Sequence, residues 1–261
     1  AHLSTTRSPQ QMHGALAKRS AFARSLGPAF AEGREEPYVV SVMPCTAKKD
    51  EAVRPGLSGD VDHVLTTREL ARMIKSRGIA FHALADDGAF DDPLGESTGA
   101  AQIFAVSGGV MEAMLRSAAH LLGRPEALVL EWQPLRGIGP GIRTAQIAGL
   151  GTVAICNGIA AAQHLLEGEA WRDQFVAIEV MACVGGCLGG GGEPKSMDSQ
   201  VLDKRMRAIY ELDRQAARRS AHENRAVQTW YATELQEPHA VQARALLHTS
   251  YAARNSRRLL L

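Results

Sequence analysis

The sequence predicts an α/β fold with two lobes of mostly parallel sheet flanked by helices, followed by a helical C-terminal tail. Short, mostly apolar runs at 38–43, 152–156 and 176–181 have the length and β-branched content of strands. Segments with helical periodicity alternate with these runs, and residues 198–252 show helical patterns alone. A chain of 261 residues is long enough to bury a sizeable core.

Helix starts are marked by capping residues. Ser8 can cap a first helix that has Pro9 at its first position and that we expect to reach about Leu26. Thr66 and Glu69 form a capping-box pattern at the start of another helix. The remaining predicted elements are strands at 61–65, 128–132 and 143–147 and helices at 108–122 and 159–167.

Composition and charge exclude several classes of partner. The net charge is +1, so the electrostatics do not favour a nucleic acid. No run of about 18 apolar residues is present, so we expect no membrane span. Four cysteines are too few for a disulfide scaffold in a chain of this length, and this favours a cytoplasmic protein.

The strongest chemical signal is a cysteine and glycine loop after the predicted strand at 176–181. Met181, Cys183 and Cys187 lie in the run MACVGGCLGGGGEP. Thiolates hold iron–sulfur clusters, and glycines let the backbone approach a bulky cluster closely. A zinc loop or a phosphate-binding glycine loop would also fit, although the lysine and hydroxyl ending of a phosphate loop is missing. The pattern therefore predicts a metal centre, with iron–sulfur preferred and zinc still open.

A second motif places a cysteine just past another predicted strand. Met43, Pro44 and Cys45 precede Lys48 in MPCTAKKDE. A lysine three residues after a cysteine puts a cation near a thiolate, where it would stabilise negative charge. Taken alone, the motif also fits a buried structural cysteine beside solvated lysines. Ligands of parallel sheets lie beyond the carboxyl ends of the strands, so we expect Cys45 and the Cys183 loop on one side of the fold.

Together the two motifs resemble the second and third signature motifs of iron-only ([FeFe]) hydrogenases. Four further segments match that family in order: residues 3–11 (LSTTRSPQQ), Asp62 with 65–70 (LTTREL), 95–99 (GESTG) and 107–112 (SGGVME). Residues 220–224 (SAHEN) and 246–249 (LLHT) resemble the family's small subunit, here fused to the catalytic part. The resemblance covers nearly the whole chain.

The resemblance implies a cofactor and its ligands. The family carries a [4Fe–4S] cubane joined through one cysteine to a two-iron subsite with CO, cyanide and a dithiolate bridge. Cys45, Cys183 and Cys187 would bind the cubane, and Cys187 would be shared with the two-iron unit. Lys48 would donate to a cyanide ligand, and Ser4 would lie on the proton path. The other implied residues are Ser8, Pro9 and Gln10 around the cyanide and CO ligands, Met43, Met181 and Phe104 as an apolar wall, and Pro44 beside Met43.

The sequence departs from the family pattern in two places. A Cys-Cys-Pro motif, which supplies the family's fourth cubane cysteine and a proton-relaying cysteine, does not occur in these residues. We therefore expect the native chain to extend further at its N-terminus. Glu193 stands where the family usually has Gln, which adds a possible charge near the cluster. Cys156 matches no ligand position and is expected in the core.

The resemblance implies an enzyme that oxidises H2 reversibly to protons and electrons. Its electron partner would be ferredoxin or an NAD(P)-linked subunit, and maturation proteins would insert the two-iron unit. The alternatives are a non-catalytic iron–sulfur assembly relative, a hydrogen sensor and an inactive fragment. We expect an assembly relative to lose the pocket residues, which this chain keeps, so the hydrogenase is the leading interpretation.

The resemblance also divides the chain into two parts. Residues 1–197 would form the hydrogenase cluster domain, incomplete at its N-terminus, and residues 198–252 would form a small-subunit-like helical segment.

Overall fold

The computed structural model describes residues 2–19, 37–85, 88, 96–124, 133–134, 141–198 and 200–251. The strand expected at 128–132 and the end of the first expected helix lie outside these residues. In chain order, the described elements are α1 (Pro9–Arg19), β1 (Val40–Met43), α2 (Ala47–Ala52), β2 (His63–Thr66), α3 (Thr67–Ser76), α4 (Gly99–Ile103), α5 (Gly109–Leu121), β3 (Gln133–Pro134), β4 (Ile142–Ile147), β5 (Gly151–Asn157), α6 (Ile159–Leu165), α7 (Trp171–Gln174), β6 (Ala177–Met181), α8 (Val201–Gln215), α9 (Arg225–Trp230) and α10 (Val241–Leu247).

The expected α/β class is confirmed. β1 pairs with β2 in parallel, and β3, β4, β5 and β6 form a second sheet in that order. In this sheet β5 and β6 are parallel, whereas β3–β4 and β4–β5 are antiparallel, so the expectation of a mostly parallel sheet was wrong for this unit. The antiparallel β4–β5 pair has a simple cause, because only residues 148–150 connect Ile147 to its partner Gly151. A parallel pair would need a much longer crossover.

The chain forms two compact units. The first unit combines residues 1–71 with 229–261, and the second contains residues 72–228. The division at residue 197 that the sequence suggests stays a prediction, since these units follow spatial packing rather than chain order.

In the first unit, the N-terminal segment is bound to the residues around the end of α10. The Arg7 backbone N–H donates to the Leu247 carbonyl at 2.8 Å, and the Thr249 N–H donates to the Thr5 carbonyl at 2.8 Å. The Arg7 guanidinium pairs with Asp60 at 2.6 Å, and the Asp60 side chain is fully buried. An unpaired buried charge is costly, so this ion pair fixes the 57–61 loop against the chain start.

The second unit is a three-layer structure around β5. Val153 and Ile155 face α5, where they pack with Met111 and Leu115. The alternate residues Ala154 and Cys156 point to the other side and pack with α6. Side chains alternate between the two faces of a strand, so a strand covered on both faces is apolar at successive positions. This explains why 153–156 is a continuous apolar run.

Two expected helix starts are confirmed. The Glu69 N–H donates to Thr66 Oγ1 at 3.2 Å, and the Thr66 N–H donates back to Glu69 Oε2 at 2.8 Å, so the capping box at α3 is complete. At α1, Pro9 is the first residue, and the Gln11 N–H donates to Ser8 Oγ at 3.4 Å.

The capping box predicts a specific dependence of stability on pH. Donation by the Thr66 backbone N–H is the largest cause that lowers the pKa of Glu69 from 4.5 to about 2. A carboxyl with a lowered folded pKa stabilises the fold above its unfolded pKa, and the effect is lost as pH falls towards the folded value. We expect Glu69→Ala to lower the urea midpoint of unfolding at neutral pH. The difference in midpoint between the parent and the variant should shrink below about pH 4.5. A difference that is constant down to the lowest pH at which the chain stays folded would contradict this account.

Gly14 in α1 tests the packing of the first unit. A Cβ at this position would lie 2.3 Å from the Asp60 carbonyl oxygen, which is backbone and cannot move aside cheaply. Helix propensity alone favours alanine over glycine by about 1 kcal/mol. Overpacking costs about 1–3 kcal/mol, so we expect Gly14→Ala to lower the free energy of unfolding despite its better propensity. Gly88→Ala, where a Cβ would meet nothing within 4 Å, is the control and should change stability by less than about 0.5 kcal/mol in the same urea titration.

Candidate functional site

The cysteine loop of the second unit begins directly after β6. The Gly158 N–H donates to the Met181 carbonyl at 2.7 Å, which holds the strand end, and the Gly185 N–H donates to Asn157 Oδ1 at 2.8 Å. Cys187 lies in a 3₁₀ turn at Gly186–Gly189. Cys183 and Cys187 are both half-buried and neither is in a disulfide. The loop is thus a folded structure that leaves two thiols partly accessible.

The glycines of this loop are needed for close backbone packing. Gly186 has φ of +75°, and a Cβ there would lie 2.7 Å from the Ala105 carbonyl oxygen and 2.8 Å from the Ser107 nitrogen. The Leu188 N–H also donates to the Ala105 carbonyl at 3.4 Å. The loop therefore lies on the 105–107 turn that precedes α5, an approach that any side chain at residue 186 would prevent.

Arg205 of α8 supports the same loop from another direction. Its guanidinium donates to the Leu188 carbonyl at 2.8 Å and to the Pro194 carbonyl at 2.9 Å. Two donors in a planar fork fix both ends of the segment that follows Cys187.

The Glu179 carboxylate of β6 binds the start of α5. Its two oxygens accept the backbone N–H groups of Gly108 at 2.6 Å and Met111 at 2.7 Å. These groups have no partner within the helix, and the positive end of the helix dipole favours an anion there. Burial raises the pKa of the Glu179 carboxyl, against the opposing effect of these two N–H donors. Glu179 therefore links β6, which leads to Cys183, to α5. The cysteine loop packs on the turn just before that same helix.

In the first unit, Cys45 lies two residues past β1 and α2 follows it at once. The first turn of α1 is bound to α2, because Gln10 Nε2 donates to the Lys48 carbonyl at 3.2 Å. Ser41 of β1 donates to Gln10 Oε1 at 2.8 Å, so the Gln10 side chain joins three elements. Ser8, Gln10 and Lys48, predicted as pocket residues from separate motifs, are thus brought together in this unit.

A carboxylate that the sequence interpretation did not single out lies between two of these residues. Glu51 Oε2 accepts from the Lys48 ammonium at 2.7 Å, and Glu51 Oε1 accepts from the Ser8 hydroxyl. The spacing of three residues between Lys48 and Glu51 in the helix could have indicated the ion pair. The Ser8 contact joins residues 43 positions apart and leaves no local signal in the sequence.

The other predicted residues lie in their own units as follows. In the first unit Met43 packs beside the small cluster of Ala52, Val61 and Val64, and Ser4 and Pro9 are exposed. In the second unit Phe104 packs against Ile103 and Ala113, and Met181 ends β6. The ligand roles assigned to Cys45, Cys183 and Cys187 stay predictions. Within the described residues, no three His, Cys, Asp or Glu side chains gather as a single-ion metal site.

Cys156 is a core residue, as expected from the sequence. Its side chain is fully buried in the cluster beneath α6. Burial is the main cause that raises the pKa of its thiol to about 11, with Glu179 contributing. A thiol held protonated in this way is a poor metal ligand.

Comparison with known families agrees with the motifs. The model of the iron-only hydrogenase large subunit, C-terminal domain, matches residues 1–191, and that of the iron hydrogenase small subunit matches residues 199–254. Because the first match alone covers well over half of the chain, the chain belongs to the iron-only hydrogenase family.

Individual relatives include both enzymes and assembly proteins. The chain is 43% identical to the NADP-reducing hydrogenase subunit HndD of Solidesulfovibrio fructosivorans over 96% of its length and 43% of that protein. It is 38% identical to iron hydrogenase 1 of Clostridium pasteurianum, over 96% of the chain and 45% of the relative. It is also 34% identical to cytosolic iron-sulfur assembly component 3 of Mus musculus, over 97% of the chain and 54% of the relative. The chain thus spans about half the length of these relatives or less.

The fold agrees with solved structures. An apo form of the [FeFe]-hydrogenase HydA1 from Chlamydomonas reinhardtii matches with a TM-score of 0.75 and 34% sequence identity, over 96% of this chain and 70% of that one. Of the helices that the structure describes, none is long and apolar enough to cross a membrane.

Removal of the Glu179 carboxylate should destabilise the second unit. Glu179→Ala leaves two N–H groups at the start of α5 without their acceptor, and each unsatisfied buried donor costs about 1–3 kcal/mol. We expect a loss of at least about 2 kcal/mol in the free energy of unfolding, measured by urea titration. Glu167→Ala removes an exposed carboxylate from the same unit and should have little effect. Equal effects of the two substitutions would contradict the role assigned to Glu179.

Proposed function

We propose that the chain forms part of an iron-only hydrogenase, which catalyses reversible H2 oxidation and proton reduction at a [4Fe–4S]-linked two-iron cluster. One observation carries the proposal: Ser8, Gln10 and Lys48 meet in the first unit beside the motif of Cys45. A cluster held by thiolates alone would not need an ammonium fixed in this way, whereas the Lys48 ammonium suits small anionic ligands.

The residues present would supply three of the four cubane ligands of such a cluster. Cys45, Cys183 and Cys187 have half-buried thiols outside any disulfide. Thiolates are the usual ligands of iron–sulfur clusters, and Cys187 would be the ligand shared with the two-iron subsite. The glycines around Cys187 leave its loop free of side-chain bulk, and half-buried backbone amides in such a loop can donate to sulfur.

Each remaining site residue has a proposed task. When bound, the two-iron subsite with CO, cyanide and a dithiolate bridge supplies the metal chemistry that splits H2. The Lys48 ammonium would donate to a cyanide ligand, and Ser8, Pro9 and Gln10 would shape the pocket. Ser4 would hold a proton on its exposed hydroxyl. Met43, Pro44, Met181 and Phe104 would exclude water as an apolar wall, since a dry, shaped pocket is what such a cofactor requires from the protein.

The partners follow from the proposed reaction. Protons and H2 are the substrates, and electrons would pass to ferredoxin or to an NAD(P)-linked subunit. The similarity to a subunit named NADP-reducing hydrogenase supports the second of these. Hydrogenase maturation proteins would insert the two-iron unit in the cytoplasm. Residues 1–197 would act as the cluster domain and 198–252 as a small-subunit-like segment.

A second candidate function is that of a non-catalytic iron–sulfur protein. The 34% identity to cytosolic iron-sulfur assembly component 3 over 97% of the chain favours it. Such a protein would bind an iron–sulfur cluster but would have no use for the Lys48 ammonium. The two candidates therefore differ in whether H2 is turned over.

The test is H2 oxidation by the complete product of the gene that encodes this chain, matured with a two-iron complex. We expect H2-dependent dye reduction in the parent protein and its loss to background in Cys187→Ser, because a thiolate shared between the two clusters is removed. Cys156→Ala is the matched control and should retain activity, since this thiol lies in the core. An iron-loaded parent protein without H2 turnover would support the non-catalytic alternative.

A further inference from the structure

The Glu51 carboxylate is the centre of a polar group that links two helices of the first unit. Its side chain is only 16% exposed and that of Lys48 is 24% exposed. Each carboxylate oxygen has a different donor: Lys48, on the same helix, and Ser8, at the start of α1. An ion pair between residues three apart on a helix is usually weak because both side chains can rotate away. Here the second donor holds the carboxylate from another element.

The number of hydrogens on Ser8 and on Lys48 decides which of the two side chains can donate a hydrogen bond to a further ligand. A serine hydroxyl has one proton, and Ser8 donates it to Glu51 while its oxygen accepts the Gln11 N–H at 3.4 Å. An ammonium has three protons, and Lys48 uses one of them for Glu51. Lys48 therefore keeps donors for a small anion, whereas Ser8 contributes shape rather than a hydrogen bond.

The backbone beneath Lys48 is also fixed. Gln10 Nε2 donates to the Lys48 carbonyl, and Gln10 Oε1 accepts from Ser41 of β1. With the backbone held at one end and the ammonium held at the other, the Lys48 side chain has one defined direction. Glu51 is the residue that sets the ammonium end.

We propose that Glu51 is a positioning residue that directs the Lys48 ammonium towards the anionic ligands of the two-iron subsite. This inference rests on the proposed hydrogenase function. Glu51 touches no reacting atom, and it acts through Lys48. Its effect should therefore appear as a change in the environment of the anionic ligands and in the reactivity of the Lys48 amine.

The first measurement needs no iron. The rate at which an amine-reactive acylating reagent modifies Lys48 is followed by mass spectrometry in the parent protein and in Glu51→Gln. Loss of the ion-pair partner should raise the Lys48 rate by about two- to fivefold, the range that corresponds to a partly exposed ion pair. Lys49, which pairs with Glu69 and the Val64 carbonyl instead, is the internal reference and should not change. An unchanged ratio of Lys48 to Lys49 modification would overturn the inference, whatever the protein's activity.

The second measurement uses the protein loaded with a two-iron dicyanide complex. In Glu51→Gln we expect the cyanide infrared bands to shift and broaden, and H2 oxidation to fall at least about tenfold, because a misdirected group costs that much or more. Asp50→Asn is the matched control: it removes a carboxylate from the same helix, but one that pairs with Arg54. Its bands and activity should equal those of the parent.

Ser8→Ala keeps the test decisive if Glu51→Gln does not fold. It releases one of the two anchors of the carboxylate and should shift the same bands in the same direction by a smaller amount. Loaded Glu51→Gln and Ser8→Ala proteins with the parent's bands would overturn the inference while leaving the hydrogenase function standing. A parent protein without cyanide bands or H2 turnover would instead contradict the proposed function, and the acylation ratio would still show whether Glu51 holds Lys48.

Discussion

The bond between the Glu179 carboxylate and the start of α5 is the interaction on which the second unit's cysteine loop depends. Glu179 lies in β6, which leads to Cys183, and it binds the helix whose preceding turn receives Gly186. The strand, the turn and the loop are thus held by one buried anion and two backbone N–H groups. The conformation of the loop follows from the protein core, so its two thiols are arranged in advance of any ligand.

The first unit uses the same principle with different groups. Glu51 accepts hydrogen bonds from the Ser8 hydroxyl, just before α1, and from the Lys48 ammonium of α2, as Glu179 accepts them from two backbone N–H groups. In each unit a largely buried carboxylate accepts from at least one donor that lies outside its own element. The polar pocket residues and the cysteine loop therefore owe their geometry to contacts within their own units.

Local patterns explain what the sequence could predict. The capping box of Thr66 and Glu69 spans three residues, and the apolar run of β5 reflects burial on both faces, so both can be recognised from neighbouring positions. Glu179 accepts from Gly108 and Met111, which lie 71 and 68 positions away in the chain. The contact between Ser8 and Glu51 joins residues 43 positions apart. No periodicity in the sequence encodes these contacts. The antiparallel β4–β5 hairpin was missed because two apolar runs near a glycine turn do not by themselves reveal strand direction. Nor does any local pattern single out Arg205, whose guanidinium binds carbonyls 17 and 11 residues before it in the chain.

Arg205 lies in the small-subunit match, and of the two carbonyls that it binds, that of Leu188 lies in the large-subunit match and that of Pro194 lies between the two matches. The large-subunit match ends at residue 191 and the small-subunit match begins at residue 199. Because a short covalent tether joins the two, this contact forms at a high effective concentration that dilution does not lower. In two separate polypeptides, the same contact would form only as far as their binding affinity and concentrations allowed. In a single chain it does not depend on protein concentration.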